Sequence, residues 1–212
     1  MLAKTIAEFI GTLLLVTAVV ASGIMADKLT DDVAVALLAN TGATAAALYV
    51  LISIIGPISG AHFNPVVSAV MTAKGDLARA VLLPFIVAQI AGGVCGVWLA
   101  HAMFELPILQ ISQHIRTGSG QFISEIVATF CLLTVILLGG KQQNISMPAL
   151  VSLTIASAYW FTASTSFANP AVTLARSLTD TFSGIAPANV ALFFIAQCVG
   201  AGLAYILAKQ RD

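Results

Sequence analysis

Ser166-Phe167-Ala168-Asn169-Pro170-Ala171-Val172-Thr173-Leu174-Ala175-Arg176 reads as a loop that turns into a short helix. Asn169 is placed to cap that helix, Pro170 takes its first position, and helix formers follow. A second stretch of the same kind, Gly60-Ala61-His62-Phe63-Asn64-Pro65-Val66-Val67, stands in the first half of the chain. Each is an isolated Asn-Pro start in apolar surroundings, and those surroundings set the fold.

The chain has 212 residues, 59% hydrophobic and 8% charged, with a mean hydropathy of +1.00. A soluble domain of this size needs far more polar surface. The long uncharged runs are therefore transmembrane helices, with the lipid bilayer as their partner. The formal net charge is zero, which offers nothing to a nucleic acid. Cys95, Cys131 and Cys198 fall in apolar runs without metal-ligand spacing, as small buried residues do. No metal, cofactor or reaction is called for. The first apolar run lacks a small-residue cleavage site after a short hydrophobic region, so it reads as a retained span.

Six spans can be laid out, at 4–24, 33–55, 79–100, 121–140, 146–163 and 188–208. Each is about 17–23 residues, enough to cross about 30 Å of hydrocarbon. The apolar segments 64–73 and 169–179 are about 10 residues each and reach only about 15 Å as helix. They read as re-entrant half-helices. The fold class is thus an all-α membrane protein of six transmembrane helices and two half-helices. Lys4, Lys74, Arg79, Lys141, Lys209 and Arg211 gather at one set of span ends. Positive residues stay inside, so both termini are expected in the cytoplasm, with the protein in the plasma membrane (the inner membrane in a bacterium).

The order Glu, Asn-Pro, Gln recurs. Glu8, Asn64-Pro65 and Gln89 mark the first half; Glu125, Asn169-Pro170 and Gln197 mark the second. The whole of 1–212 reads as one channel domain, with repeats over approximately 1–102 and 118–212. Each repeat has an odd number of spans, so the two must sit in the bilayer with opposite topology. Inverted repeats with broken segments in matching places put a transport site at the midplane.

In that arrangement the two half-helices meet N-terminus to N-terminus. Each N-terminus carries roughly half a positive charge, which repels cations and hydronium. Asn64 and Asn169 can cap their helices and still donate to a passing molecule. The loops 58–63 and 165–168, with Gly60, Ala61, His62, Phe167 and Ala168, would offer carbonyl acceptors, since irregular backbone at this depth must be buried or line water. Glu8 and Glu125 lie within spans, where an ionisable group must be paired. Either they carry protons, as an ion- or proton-coupled transporter needs, or they hold the re-entrant loops in shape. Gln89 and Gln197 read as inter-helix hydrogen-bond partners, and Gly92, Gly93, Gly96, Gly200 and Gly202 as points of close packing.

Ser59-Gly60-Ala61-His62-Phe63-Asn64-Pro65-Val66 resembles the first signature box of the major intrinsic protein family, the aquaporins and glycerol channels, with Val66 where Ala is usual. Asn169-Pro170-Ala171 matches the second box unaltered. The resemblance covers essentially the whole chain. It implies a passive channel, not an enzyme, for water and small neutral solutes, assembled as a homotetramer with one pore per subunit. It also favours the structural role for Glu8 and Glu125, and a place beside the pore for His62. Aquaporins usually carry Arg directly after the second Asn-Pro-Ala, where this chain has Val172. By family spacing the remaining filter positions are Thr44, Ser157 and Ser166. The resemblance therefore implies a wide, neutral, hydroxyl-lined filter with one aliphatic wall.

Arg176 stands one turn beyond Val172 on the same helix face. Either its long side chain leans back to the outer mouth, or it pairs with Asp180 at i+4 or reaches for the interface. Asn169 to Phe182 is similar to a bacterial branch of the family that lacks the filter Arg and includes channels associated with arsenic resistance. That similarity implies passage of glycerol-like polyols, neutral metalloid acids or methylated arsenicals beside water.

Overall fold

The computed structural model describes residues 1–140 and 146–210. Lys141 and Arg211, two of the charges in the orientation count, lie outside them. The described residues form eight helices: α1 Leu2–Leu29, α2 Val33–Ser59, α3 Pro65–Lys74, α4 Arg79–Met103, α5 Ser119–Gly139, α6 Met147–Phe161, α7 Pro170–Arg176 and α8 Pro187–Lys209. Five of them are long and apolar enough to cross a membrane. The sixth expected span, α6, has 15 residues, about 22 Å of helix.

Local chemistry explains where the helices begin and end. Asp32 caps α2 by accepting from Ala34 N at 2.8 Å and Val35 N at 3.2 Å. Gly60 and Gly75 end α2 and α3 in the left-handed region, both at φ 95, where a Cβ would be strained. The half-helix α7 is shorter than expected, with seven residues. Ser177 closes it by donating its hydroxyl to Leu174 O at 2.7 Å, and the chain then turns away.

The helices are apolar outside and polar inside. Leu38, Ile54, Leu83, Val87, Leu153 and Ile206 are exposed, whereas Glu8, Gln89, Glu125 and Gln197 are fully buried. That inversion suits a bilayer, where water cannot satisfy polar groups on the surface. α1 packs on α2 and α4, α5 packs on α6 and α8, and α2 meets α6 across the middle. The half-helices fill the centre, with α3 against α4 and α8, α7 against the same two, and α3 touching α7.

Close contact depends on glycine where the helices cross. A Cβ on Gly92 would collide with the Phe9 carbonyl oxygen, one on Gly96 with that of Leu13, and one on Gly200 with that of Ile126. These are backbone atoms and cannot swing aside. Gly92→Ala must therefore push α4 off α1, at a cost of about 1–3 kcal/mol. A lowered thermal unfolding midpoint of the detergent-purified variant is the expected result. Gly202, with no atom within 4 Å of its built Cβ, should accept alanine without that loss.

Candidate functional site

The two half-helix starts are tied to each other. Asn64 Oδ1 accepts from Val66 N at 3.1 Å, and Asn169 Oδ1 accepts from Ala171 N at 2.9 Å. Each amide nitrogen then crosses to the opposite loop. Asn64 Nδ2 donates to Ala168 O and Asn169 Nδ2 donates to Phe63 O, both at 2.8 Å. An amide nitrogen has two hydrogens. One is used in each cross-link, leaving the second for whatever occupies the cavity that both side chains line.

Behind each half-helix stands one buried carboxylate. Glu8 accepts from Ser59 Oγ at 2.6 Å, His62 N at 2.9 Å, Phe63 N at 2.7 Å and Gln89 Nε2 at 2.8 Å. Glu125 accepts from Ser164 Oγ at 2.6 Å, Phe167 N at 2.9 Å, Ala168 N at 2.9 Å and Gln197 Nε2 at 2.6 Å. Each glutamine also donates to the hydroxyl of its half-helix, Gln89 to Ser68 and Gln197 to Thr173, at 2.9 Å. With four donors around two oxygens, each carboxylate is fully engaged as a hydrogen-bond acceptor.

These bonds hold backbone that would not otherwise stay in place. Ala61, Phe63, Thr165, Ser166 and Ala168 all have φ between 48 and 60. Left-handed geometry at a non-glycine residue costs about 1–2 kcal/mol, and Phe63 is the bulkiest case here. Gly11 makes room for the Phe63 ring, which a Cβ there would penetrate.

A cavity of about 310 Å³ runs past this centre. One end is lined by Met71, Ile136 and Met147, the middle by Asn64, Phe63, Ala168 and Asn169, and the other end by Thr44, Tyr159, Ser166, Val172 and Arg176. Its walls are helix stripes at four-residue spacing: Thr44, Leu48 and Ile52 on α2, and Met147, Val151, Ile155 and Tyr159 on α6. Such spacing keeps side chains on one helix face. Tyr159 Oη lies 3.4 Å from Thr44 Oγ1, joining two of the walls.

Comparison with known proteins agrees with this geometry. The family model of the major intrinsic proteins matches residues 1–162. Aquaglyceroporin AqpS of Rhizobium meliloti is 54% identical over 206 residues, covering 97% of this chain and 88% of that protein. The chain belongs to the major intrinsic protein family. A glycerol uptake facilitator protein of Streptococcus pneumoniae is 33% identical over 155 residues, 66% of this chain and 65% of that one. The fold also matches the X-ray structure of the aquaglyceroporin from Plasmodium falciparum, with a TM-score of 0.74 at 22% identity, over 97% of this chain and 94% of that one. As a major intrinsic protein it is a multi-pass membrane protein and not an enzyme.

The structure places most of the expected side chains of this major intrinsic protein on the cavity. Thr44, Gly60, Ala61, His62, Asn64, Ser166, Phe167, Ala168, Asn169, Val172 and Arg176 all line it. His62 is held at the edge, its Nδ1 3.0 Å from Ser68 Oγ and its ring edge-on to Phe85. Pro65, Val66, Pro170 and Ala171 form the first turns of α3 and α7.

Ser157 is the correction. It is exposed on the outside of α6 and donates to Thr154 O at 2.9 Å. Two residues are about 200° of helix, so a residue between Ile155 and Tyr159 must face away from the stripe they share. The α6 side chain that lines the cavity beside Thr44 is instead Tyr159, which family spacing missed. The four-residue stripe from Met147 was the signal that would have found it.

Of the alternatives for Arg176, the pair with Asp180 is not the one formed. Asp180 accepts from Gln113 N at 2.8 Å and lies 4.0 Å from His114, and no ion pair joins it to Arg176 among the described residues.

Proposed function

We propose that this protein is a passive channel for water and small uncharged solutes. The observation that supports it most directly is the cavity lined by the crossed Asn64–Asn169 pair, with an unspent amide hydrogen on each. A solute shedding its water there exchanges hydrogen bonds with the Asn amides and the loop carbonyls. The facing N-termini of α3 and α7 oppose cations at the same level. The inverted duplication belongs to this reading, and the matched Glu8 and Glu125 hydrogen-bond sets support it. Assembly as a homotetramer is supported by the family resemblance, and a plasma-membrane location with cytoplasmic termini by the Lys and Arg distribution.

The solutes are the finer part of the proposal. Thr44, Tyr159 and Ser166 give the outer end hydroxyls, and Val172 gives it an aliphatic wall. Such a lining suits glycerol-like polyols, and by the same hydrogen-bonding logic neutral metalloid acids and their methylated forms. Tyr159 makes the constriction narrower than a serine would. Tyr159→Ser should raise glycerol permeability about threefold relative to water, under 1 kcal/mol of barrier. Light-scattering rates of reconstituted vesicles would register that change.

A proton-coupled transporter needs a carboxylate facing the solute path, whereas Glu8 and Glu125 stand behind the re-entrant loops, off the cavity lining. The test is solute accumulation. Vesicles containing the protein, equilibrated with radiolabelled glycerol and given a pH step, should show no net uptake. Uphill accumulation would overturn the channel reading.

A further inference from the structure

The guanidinium of Arg176 takes the first of the places that its sequence position allows, back toward the cavity. The residue ends α7, yet its side chain folds back so that Cζ sits 3.4 Å from the centroid of the Phe167 ring. Phe167 precedes Asn169 by two residues and is itself fixed, edge-on to Phe193 and tied through its N–H to Glu125. Arg176 Nε donates to the Ser183 carbonyl. The side chain is 3% exposed overall and lines the cavity beside Val172 and Ser166.

No carboxylate forms an ion pair with Arg176 among the described residues. A second guanidinium, that of Arg116, lies 5.1 Å from the same Phe167 ring, with its Nε donating to Gly184 O. A charge in the bilayer without an opposite charge is held by backbone carbonyls or meets a water-filled path, and Arg176 has one carbonyl partner and a cavity beside it. Arg cannot shed its proton to escape the cost. Its ring face and one carbonyl account for a small part of its five donors, and the cavity is where the rest can be used.

We propose that Arg176 supplies the fixed positive charge of the outer constriction, delivered from one helical turn beyond Val172, where it excludes cations and donates to solute oxygens. The proposal rests on the channel reading. Charge and width then belong to different residues. Val172 leaves space at its own level, while Arg176, pinned by Phe167 and Ser183, provides the field. A solute presents its oxygens to the guanidinium and its apolar side to the valine.

The rival role is a clamp that fastens α7 to the 177–185 loop, and three variants separate the two. Wild-type protein, Arg176→Gln, Arg176→Lys and the exchange variant Val172→Arg/Arg176→Gln are reconstituted into vesicles. Water permeability is read by light scattering. Proton and sodium entry are read with internal dyes, under a potassium–valinomycin clamp. Arg176→Gln is expected to conduct water at least as fast as wild type and to leak protons or sodium about tenfold faster. Arg176→Lys keeps the charge and should stay tight. The exchange variant restores a guanidinium to the constriction and should return the leak toward wild type.

A water-conducting Arg176→Gln that stays as tight as wild type overturns the proposal. So does an exchange variant as leaky as Arg176→Gln, and so does loss of all flux in all three variants, which is the signature of a clamp. Absence of water and glycerol flux in the wild type would instead sink the channel reading itself.

Discussion

Glu125→Ala is expected to cost the protein its re-entrant loop and with it all channel flux. The substitution strands four donors: Ser164 Oγ, Phe167 N, Ala168 N and Gln197 Nε2. The site is fully buried. A buried unsatisfied donor costs about 1–3 kcal/mol, and the two backbone N–H groups cannot turn to other partners. Removing the carboxylate also recovers its own desolvation, several kcal/mol. The donors win because they also hold Thr165, Ser166 and Ala168 in left-handed backbone. A net loss of about 3 kcal/mol or more is expected, a large share of a typical folding free energy. Glu125→Gln should fall between, since its amide would turn two hydrogens toward groups that themselves donate. Thermal unfolding in detergent and vesicle water permeability are the two readouts. An alanine variant with wild-type values in both would show that the carboxylate does not support the loop.

Val172→Arg is expected to suppress glycerol permeability at least about tenfold while reducing water less than about threefold, a difference of under 1 kcal/mol in barrier per threefold step. Val172 lines the cavity at the end where Thr44, Tyr159 and Ser166 converge. A guanidinium there takes the width that a polyol needs. It also adds a third positive group near Arg176 and Arg116, which already share the Phe167 ring. Water, needing one small hydrogen-bonding volume, is hindered least. Unchanged glycerol flux in light scattering would mean that Val172 does not bound the constriction.

The centre of the molecule was legible in the sequence because its rules are local. An Asn-Pro pair specifies a capped helix start, and a lone Glu in an apolar span demands partners. The outer end was less so. Ser157 was assigned from the spacing that the family resemblance implies. Helix phase is decided by packing, and the Met147–Tyr159 stripe turned Ser157 to the outside. An i+4 pair with Asp180 was one of the places open to Arg176, but α7 ends at Arg176, and past the helix the i+4 relation lapses. The crossed bonds from Asn64 to Ala168 and from Asn169 to Phe63 join parts of the chain that only the tertiary fold brings together. Local reading gave each Asn as a donor; it did not reveal that one hydrogen of each is already in use.

The most direct test of the central claim is stopped-flow light scattering on vesicles with and without the protein, under an inward glycerol gradient and no gradient of any ion. A passive channel predicts shrinkage followed by reswelling, both faster with the protein, as water leaves and glycerol then equilibrates. Water and glycerol rates indistinguishable from those of empty vesicles, with protein present and correctly folded, would contradict it.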